Sequence, residues 1–222
     1  MRFLLSGLII LLLTTQLTAE VYNFTVKGQK LRLETDALCQ NYDDPLFIAY
    51  EKISRDTSNI NNKGISEWVA FFWSCDTNLR YNDGDPNKGL SFGLAIEHIN
   101  GYAPNLNQQV VNEGLKNALK NINPDEIAMG NDPDKTLAFL NENDMEIGAT
   151  VEVTHPFYAT LLTKLSVFNK DAYSIGMNRY LDPYLFKLET TFLDGKNTVE
   201  TSRLIDHYIK VSEQIARSMT LD

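Results

Sequence analysis

The feature that most constrains the fold is an apolar–polar alternation of period two, which recurs along the last third of the chain. It runs through Ile147–Val153, Tyr173–Arg179 and Tyr184–Leu193, and Leu181-Asp182-Pro183 punctuates the last two segments. Successive side chains of a strand point to opposite faces, so each segment reads as a strand with one buried face, and short connections make the set an antiparallel meander. Upstream, Leu90, Phe92, Leu94, Ile96 and His98 fall on one strand face, with Ser91, Gly93, Ala95 and Glu97 on the other. Tyr22, Phe24 and Val26 followed by Leu31 and Leu33 predict an opening hairpin across Lys27-Gly28-Gln29. Trp68 to Cys75 is almost continuously apolar, the pattern of a central strand covered on both sides.

Helical signals separate these strands. Asp44-Pro45 supplies an N-cap and a first-turn proline, predicting a short helix to about Arg55 with Leu46, Ala49, Tyr50 and Ile53 on one face, then a polar loop from Asp56 to Gly64. Leu106, Val110, Val111, Leu115, Ala118, Leu119 and Ile122 recur at helical spacing until Asn123-Pro124, and Asp132-Pro133 opens a shorter helix through Leu137 and Leu140. Phe157 to Phe168 fits either period, and its stripe of Phe157, Leu161, Leu165 and Phe168 favours a helix. The chain ends in a predicted helix from Val199 to Met219, with Leu204, Ile205, Tyr208, Ser212, Ile215, Ala216 and Met219 facing a core. Hairpins interrupted by helices, without regular βαβ alternation, give an α+β fold. Its antiparallel, curved sheet carries helices on one or both faces, sandwich-like, and closes on a C-terminal helix.

The first nineteen residues read as a secretory signal peptide: Arg2, an apolar run from Leu8 to Leu13, and a polar close at Leu17-Thr18-Ala19. That run is too short to span a bilayer, which takes about 20 residues. Cleavage after Ala19 leaves residues 20–222 as a single domain, periplasmic or secreted, with no membrane insertion. Of 20 Lys and Arg the leader removes only Arg2, leaving 19 against 29 Asp and Glu and a formal charge of −10. An acidic surface argues against nucleic acid or anionic lipid as partner. In an oxidising compartment the two cysteines, Cys39 and Cys75, are expected to form a disulfide.

Candidates for chemistry are sparse. Asp83, Asp85 and Asn87 occupy positions 1, 3 and 5 of a calcium-loop pattern, but Lys88 stands where glycine is needed and Leu94 where a bidentate glutamate is needed. Asn82-Asp83-Gly84 and Asp85-Pro86 are also turn formers, and a turn between strands is the expected reading, with calcium as the possible ligand otherwise. Each histidine has an acid nearby: Glu97 with His98, Glu152 with His155, and Asp206 with His207. Strand and helix geometry point the members of these pairs apart. His98 is expected as a satisfied core histidine. Ser74, beside Cys75, is expected to be hidden. Phe71, Phe72 and Trp73 could line an apolar ligand cavity, but read as core, and Asn23-Phe24-Thr25 matches a glycosylation sequon. No nucleophile elbow, phosphate loop or HExxH is present in the sequence. The expected function is therefore non-catalytic: a binding or accessory protein acting on a protein partner or small ligand, without a cofactor. The alternative is a metal-dependent hydrolase of the cell envelope using His98, His155 or the Asp83–Asn87 loop.

Overall fold

The computed structural model describes residues 19–61, 63–101, 104–120, 127–128, 150–154, 159–167, 170–193 and 198–222. The opening hairpin, β1 (Glu20–Val26) and β2 (Gln29–Thr35), turns at Lys27 and Gly28, both at positive φ (49° and 86°). Two consecutive left-handed residues suit a tight hairpin, and the glycine carries the larger φ without a Cβ clash. A two-residue β3 (Leu38–Cys39) leads to α1 (Pro45–Asn61), β4 (Ser66–Ser74), β5 (Phe92–Ile99) and α2 (Gln108–Lys120). Then follow β6 (Ile127–Ala128), β7 (Thr150–Thr154), β8 (Ala159–Val167), β9 (Lys170–Leu181), β10 (Tyr184–Leu193), α3 (Thr198–Ser218) and β11 (Thr220–Leu221).

The strands form two sheets: one of eight strands in the order β3-β4-β5-β10-β9-β8-β7-β6, and one of three in the order β1-β2-β11. All pairings are antiparallel except β6 with β7, which is parallel. The fold is α+β, as the alternation implies.

Register assigns the layers. Phe92, Leu94 and Ile96 of β5 stand opposite Phe192, Thr190 and Leu188 of β10, which stand opposite Tyr173, Ile175 and Met177 of β9. This face packs on α3 through Ile205, Tyr208 and Ile215, on Met219 just past its end, and on the small sheet through Leu31 and Leu33, forming the main core. Ser212 lies fully buried within it, and its hydroxyl hydrogen-bonds with that of Thr190 at 2.7 Å, so neither is left unsatisfied in an apolar layer. The opposite face is covered at β4 by α1, where Phe47 meets Phe71 and Trp73, and at the β9–β10 turn by Leu106 and Val111 of the α2 segment. Gly93 lets the Phe71 ring lie across β5, since a Cβ there would stand 2.8 Å from it.

Three expectations are corrected. Phe157–Phe168 favours a helix by its apolar stripe, yet residues 159–167 form β8, because both of its edges are taken by ladders with β7 and β9. The first helix runs on to Asn61, without a polar loop from Asp56, and is turned about its axis. Phe47 (0% exposed), Glu51 and Ser58 face inward, while Ile53 and Ile60 are 61% and 78% exposed. The aromatic pocket between Phe71 and Trp73 takes Phe47, and a helix can bury only one face there. Asp44 caps it as expected, accepting from the Leu46 amide at 2.8 Å. Finally, β4 is covered on both faces but is not central: only the two-residue β3 lies beyond it. The helix expected after Asp132-Pro133 lies outside the described residues.

Candidate functional site

Beside the small sheet, the end of β4 and the turn from β2 to β3 meet α3 around a cavity of about 390 Å³. Local hydrogen bonding shapes its rim. The Thr35 hydroxyl accepts from the amides of Ala37 (3.2 Å) and Leu38 (3.3 Å), a tight turn that leaves Asp36 exposed at the opening. Across from it, the Ser74 hydroxyl accepts from the Asp76 amide at 3.1 Å, and Asp76 Oδ1 accepts from the Asn78 amide and side chain at 2.9 and 3.1 Å. Asp76 thus caps a short 3-10 turn, Thr77–Leu79. The Cys39–Cys75 disulfide, with Cα atoms 5.0 Å apart, and the Cys75 amide donating to Ala37 O (2.9 Å) tie the two walls together.

Arg80 holds the β4 end from behind. Its guanidinium donates to Ser74 O (2.8 Å) and Cys75 O (3.2 Å) and lies 4.6 Å over the Trp73 ring. The remaining wall belongs to α3, with His207, Tyr208 and Val211, and the floor includes Leu38 and Phe92. Tyr208 stacks on Phe92 with ring centroids 4.2 Å apart. Burial, aided by the Asp76 charge, pushes the Tyr208 phenol up to about 12, so it remains protonated across the physiological range. No Lys or Arg lines the cavity.

The residues singled out from the sequence are mostly elsewhere. Asp83 and Asn87 lie in successive 3-10 turns between β4 and β5, Asn82–Gly84 and Pro86–Lys88, and Asp85 caps the second. Asp83 has φ 52° and Gly84 φ 72°, while Asp85 Oδ1 accepts from the Asn87 amide (2.9 Å) and side chain (3.0 Å). Tyr81 and Leu90 bridge the loop at its base. Asp85 and Asn87 therefore spend oxygen and amide on each other. His98 sits at the far end of β5 from this loop, and His155 is outside the described residues. Among the described residues no three His, Cys, Asp or Glu side chains are grouped to hold a metal ion.

His98 is buried (4% exposed) against Tyr184 and Phe186, as expected, but it is not satisfied: its Nδ1 has no hydrogen-bond partner. Burial holds its pKa below the ordinary value, partly countered by the Glu67 carboxylate, with Lys27 adding to the depression. Glu97 points to the other face, where Ser66 donates to it at 2.6 Å. Nearby, Lys187 (2.6 Å) and Ser174 (2.9 Å) donate to Glu189. Burial alone would raise the Glu189 carboxyl, but these two donors outweigh it and its pKa lies below the usual value. Asp206 pairs with Lys210 at 2.6 Å, leaving His207 against Tyr208 at the cavity.

Phe71, Phe72 and Trp73 line none of this cavity and pack in the two cores. Ser74, in contrast, reaches it. Asp36, Asp76 and Tyr208 carry no motif; their only sequence signals are a Thr-Asp turn, an Asp-Thr-Asn cap and a place in the α3 stripe. Compared with protein-family models, curated proteins and solved structures, the chain matches none of them.

Proposed function

We propose that the chain is an exported, non-catalytic binding protein whose site is the cavity beside the Cys39–Cys75 disulfide. The observation that carries this reading is the cavity itself: about 390 Å³, apolar below, polar at the rim, between walls joined by a covalent link. That volume falls at the low end of the roughly 300–1,000 Å³ typical of small-molecule sites. Export is supported by the apolar leader ahead of Glu20 and by the disulfide, which an oxidising compartment preserves. Among the described residues no helix is long and apolar enough to cross a membrane.

The test is to purify the oxidised protein from its native source, denature it, and identify the small molecules released. A Leu79→Trp variant, with a bulky ring at the cavity wall, serves as control. The reading expects one compound near equimolar with the wild type and depleted at least tenfold from the variant. Equal amounts from both proteins, or none from either, would overturn it. Amino-terminal sequencing of the same material is expected to begin at Glu20.

A further inference from the structure

We infer that the cavity binds a small organic ammonium ion, its charged head between Asp36 and Asp76 and its apolar body against Leu38, Phe92 and Val211. This inference rests on the small-ligand reading and names the ligand's chemistry. Three independent observations meet here. First, both rim residues are acidic and exposed at the opening, no Lys or Arg lines the cavity to neutralise them, and neither is in an ion pair among the described residues. Asp76 engages the Asn78 turn through Oδ1, which leaves its second oxygen for a ligand.

Second, Tyr208 is 4% exposed and lines the cavity, yet its hydroxyl makes no hydrogen bond to any described residue. The hydroxyl is not among the fully buried side-chain atoms that lack a partner, so it opens on the cavity, where a ligand can exchange hydrogen bonds with it. The phenol stays protonated, so its oxygen lone pairs accept from an ammonium N–H while its own O–H is free to donate to a carboxylate.

Third, the floor is aromatic and aliphatic, and no group of three ligating side chains is present among the described residues. A bare metal cation would need several oxygen or nitrogen ligands and gains nothing from Leu38, Phe92 and Val211. A carboxylate or phosphate ligand would meet two like charges. A neutral apolar ligand would leave both Asp side chains without a counter-charge as it covers them. The cation with an apolar body satisfies the rim, the hydroxyl and the floor together.

Three probes of matched shape decide between these classes: 2-phenylethylammonium, 2-phenylethanol and phenylacetate, titrated into the oxidised full-length mature chain at low salt. Binding is read by calorimetry and by amide shifts of Ala37, Asp76 and Val211. The ammonium is expected to saturate those shifts with at least tenfold higher affinity than the alcohol, phenylacetate not to saturate them, and added salt to weaken only the ammonium. The Asp36→Asn/Asp76→Asn double variant should lose at least tenfold in ammonium affinity while keeping its melting temperature within a few degrees. Tyr208→Phe tests the hydroxyl separately and should lose several-fold. Alcohol binding as tight as the ammonium overturns the inference but leaves the small-ligand site standing. Full ammonium affinity in the double variant likewise overturns it. Saturation by none of the three overturns the inference alone, because the co-purification experiment tests the site by a different readout.

Discussion

At the residue scale, two side chains have environments that sequence periodicity cannot report. His98 falls on the buried face of an alternating strand, which Leu94, Ile96 and His98 make plain. What the alternation omits is its neighbours: Tyr184 and Phe186 arrive from the far side of a long connection, and they leave Nδ1 without a partner. The charged groups facing it are Glu67 and Lys27, which form an ion pair with each other. The consequence is a pH dependence of defined sign. An unfolded His98 titrates near 6.5 and the folded one lower, so above that pH the proton plays no part in stability. As pH falls below 6.5 the unfolded chain takes up the proton first, and stability declines until the folded imidazole is protonated too. Urea unfolding between pH 7.5 and 5.5 should therefore show a falling stability that His98→Phe flattens; an unchanged slope would refute the assignment. Arg80 is the second case. Two charge-assisted bonds to the carbonyls that end β4, plus its contact with Trp73, predict that Arg80→Ala costs about 2 kcal/mol by urea unfolding. Lysine should recover little of this, since it lacks the planar fork.

At the element scale, the start of α1 is readable and its orientation is not. Asp44-Pro45 is a local signal, and the cap forms where it predicts one. Which face turns inward is decided by Phe71 and Trp73, whose rings accept Phe47 at centroid distances of 5.7 and 5.0 Å, and that choice leaves Ile53 and Ile60 outside. Phe47→Ala should then cost about 3–5 kcal/mol, and Ile53→Ala no more than about 0.5, in equilibrium unfolding. Comparable costs would mean that α1 packs on its other face. β8 was obscured for a related reason: leucines and phenylalanines four apart make a helical stripe, but pairing with β7 and β9 satisfies its backbone on both edges. The disulfide is different again, since two cysteines allow only one pair within the chain. It joins residues 36 apart in sequence, for which loop closure gives about 4 kcal/mol, so Cys39→Ser/Cys75→Ser should lose roughly that much stability.

At the scale of the whole molecule, the sequence carries the β9–β10 hairpin because those strands are neighbours both in the chain and in the sheet. It does not carry the insertion of β10 beside β5, where eight register pairs join segments between which the described residues place α2 and the four strands β6 to β9. The cavity inherits that difficulty: its walls come from the β2–β3 turn, the end of β4, the start of β5 and α3, and no local pattern marks their meeting. Least visible of all is β11, whose two residues have no period to show. Yet it closes the small sheet, with Thr220 and Leu221 opposite Arg32 and Leu31, and the Lys30 and Asp222 backbones exchange hydrogen bonds of 3.2 and 2.9 Å. Because β2 also packs on α3, this edge holds the end of the chain against the layer that lines the cavity. Deleting residues 220–222 exposes the edge of β2 and should cost about 2 kcal/mol, at roughly 0.5–1.5 kcal/mol per hydrogen bond lost. Hydrogen exchange locates the effect: the Lys30 amide should lose its protection by at least tenfold, while amides in the β5–β10 ladder slow or quicken only with global stability. Retained protection at Lys30 would show that the small sheet stands without its third strand.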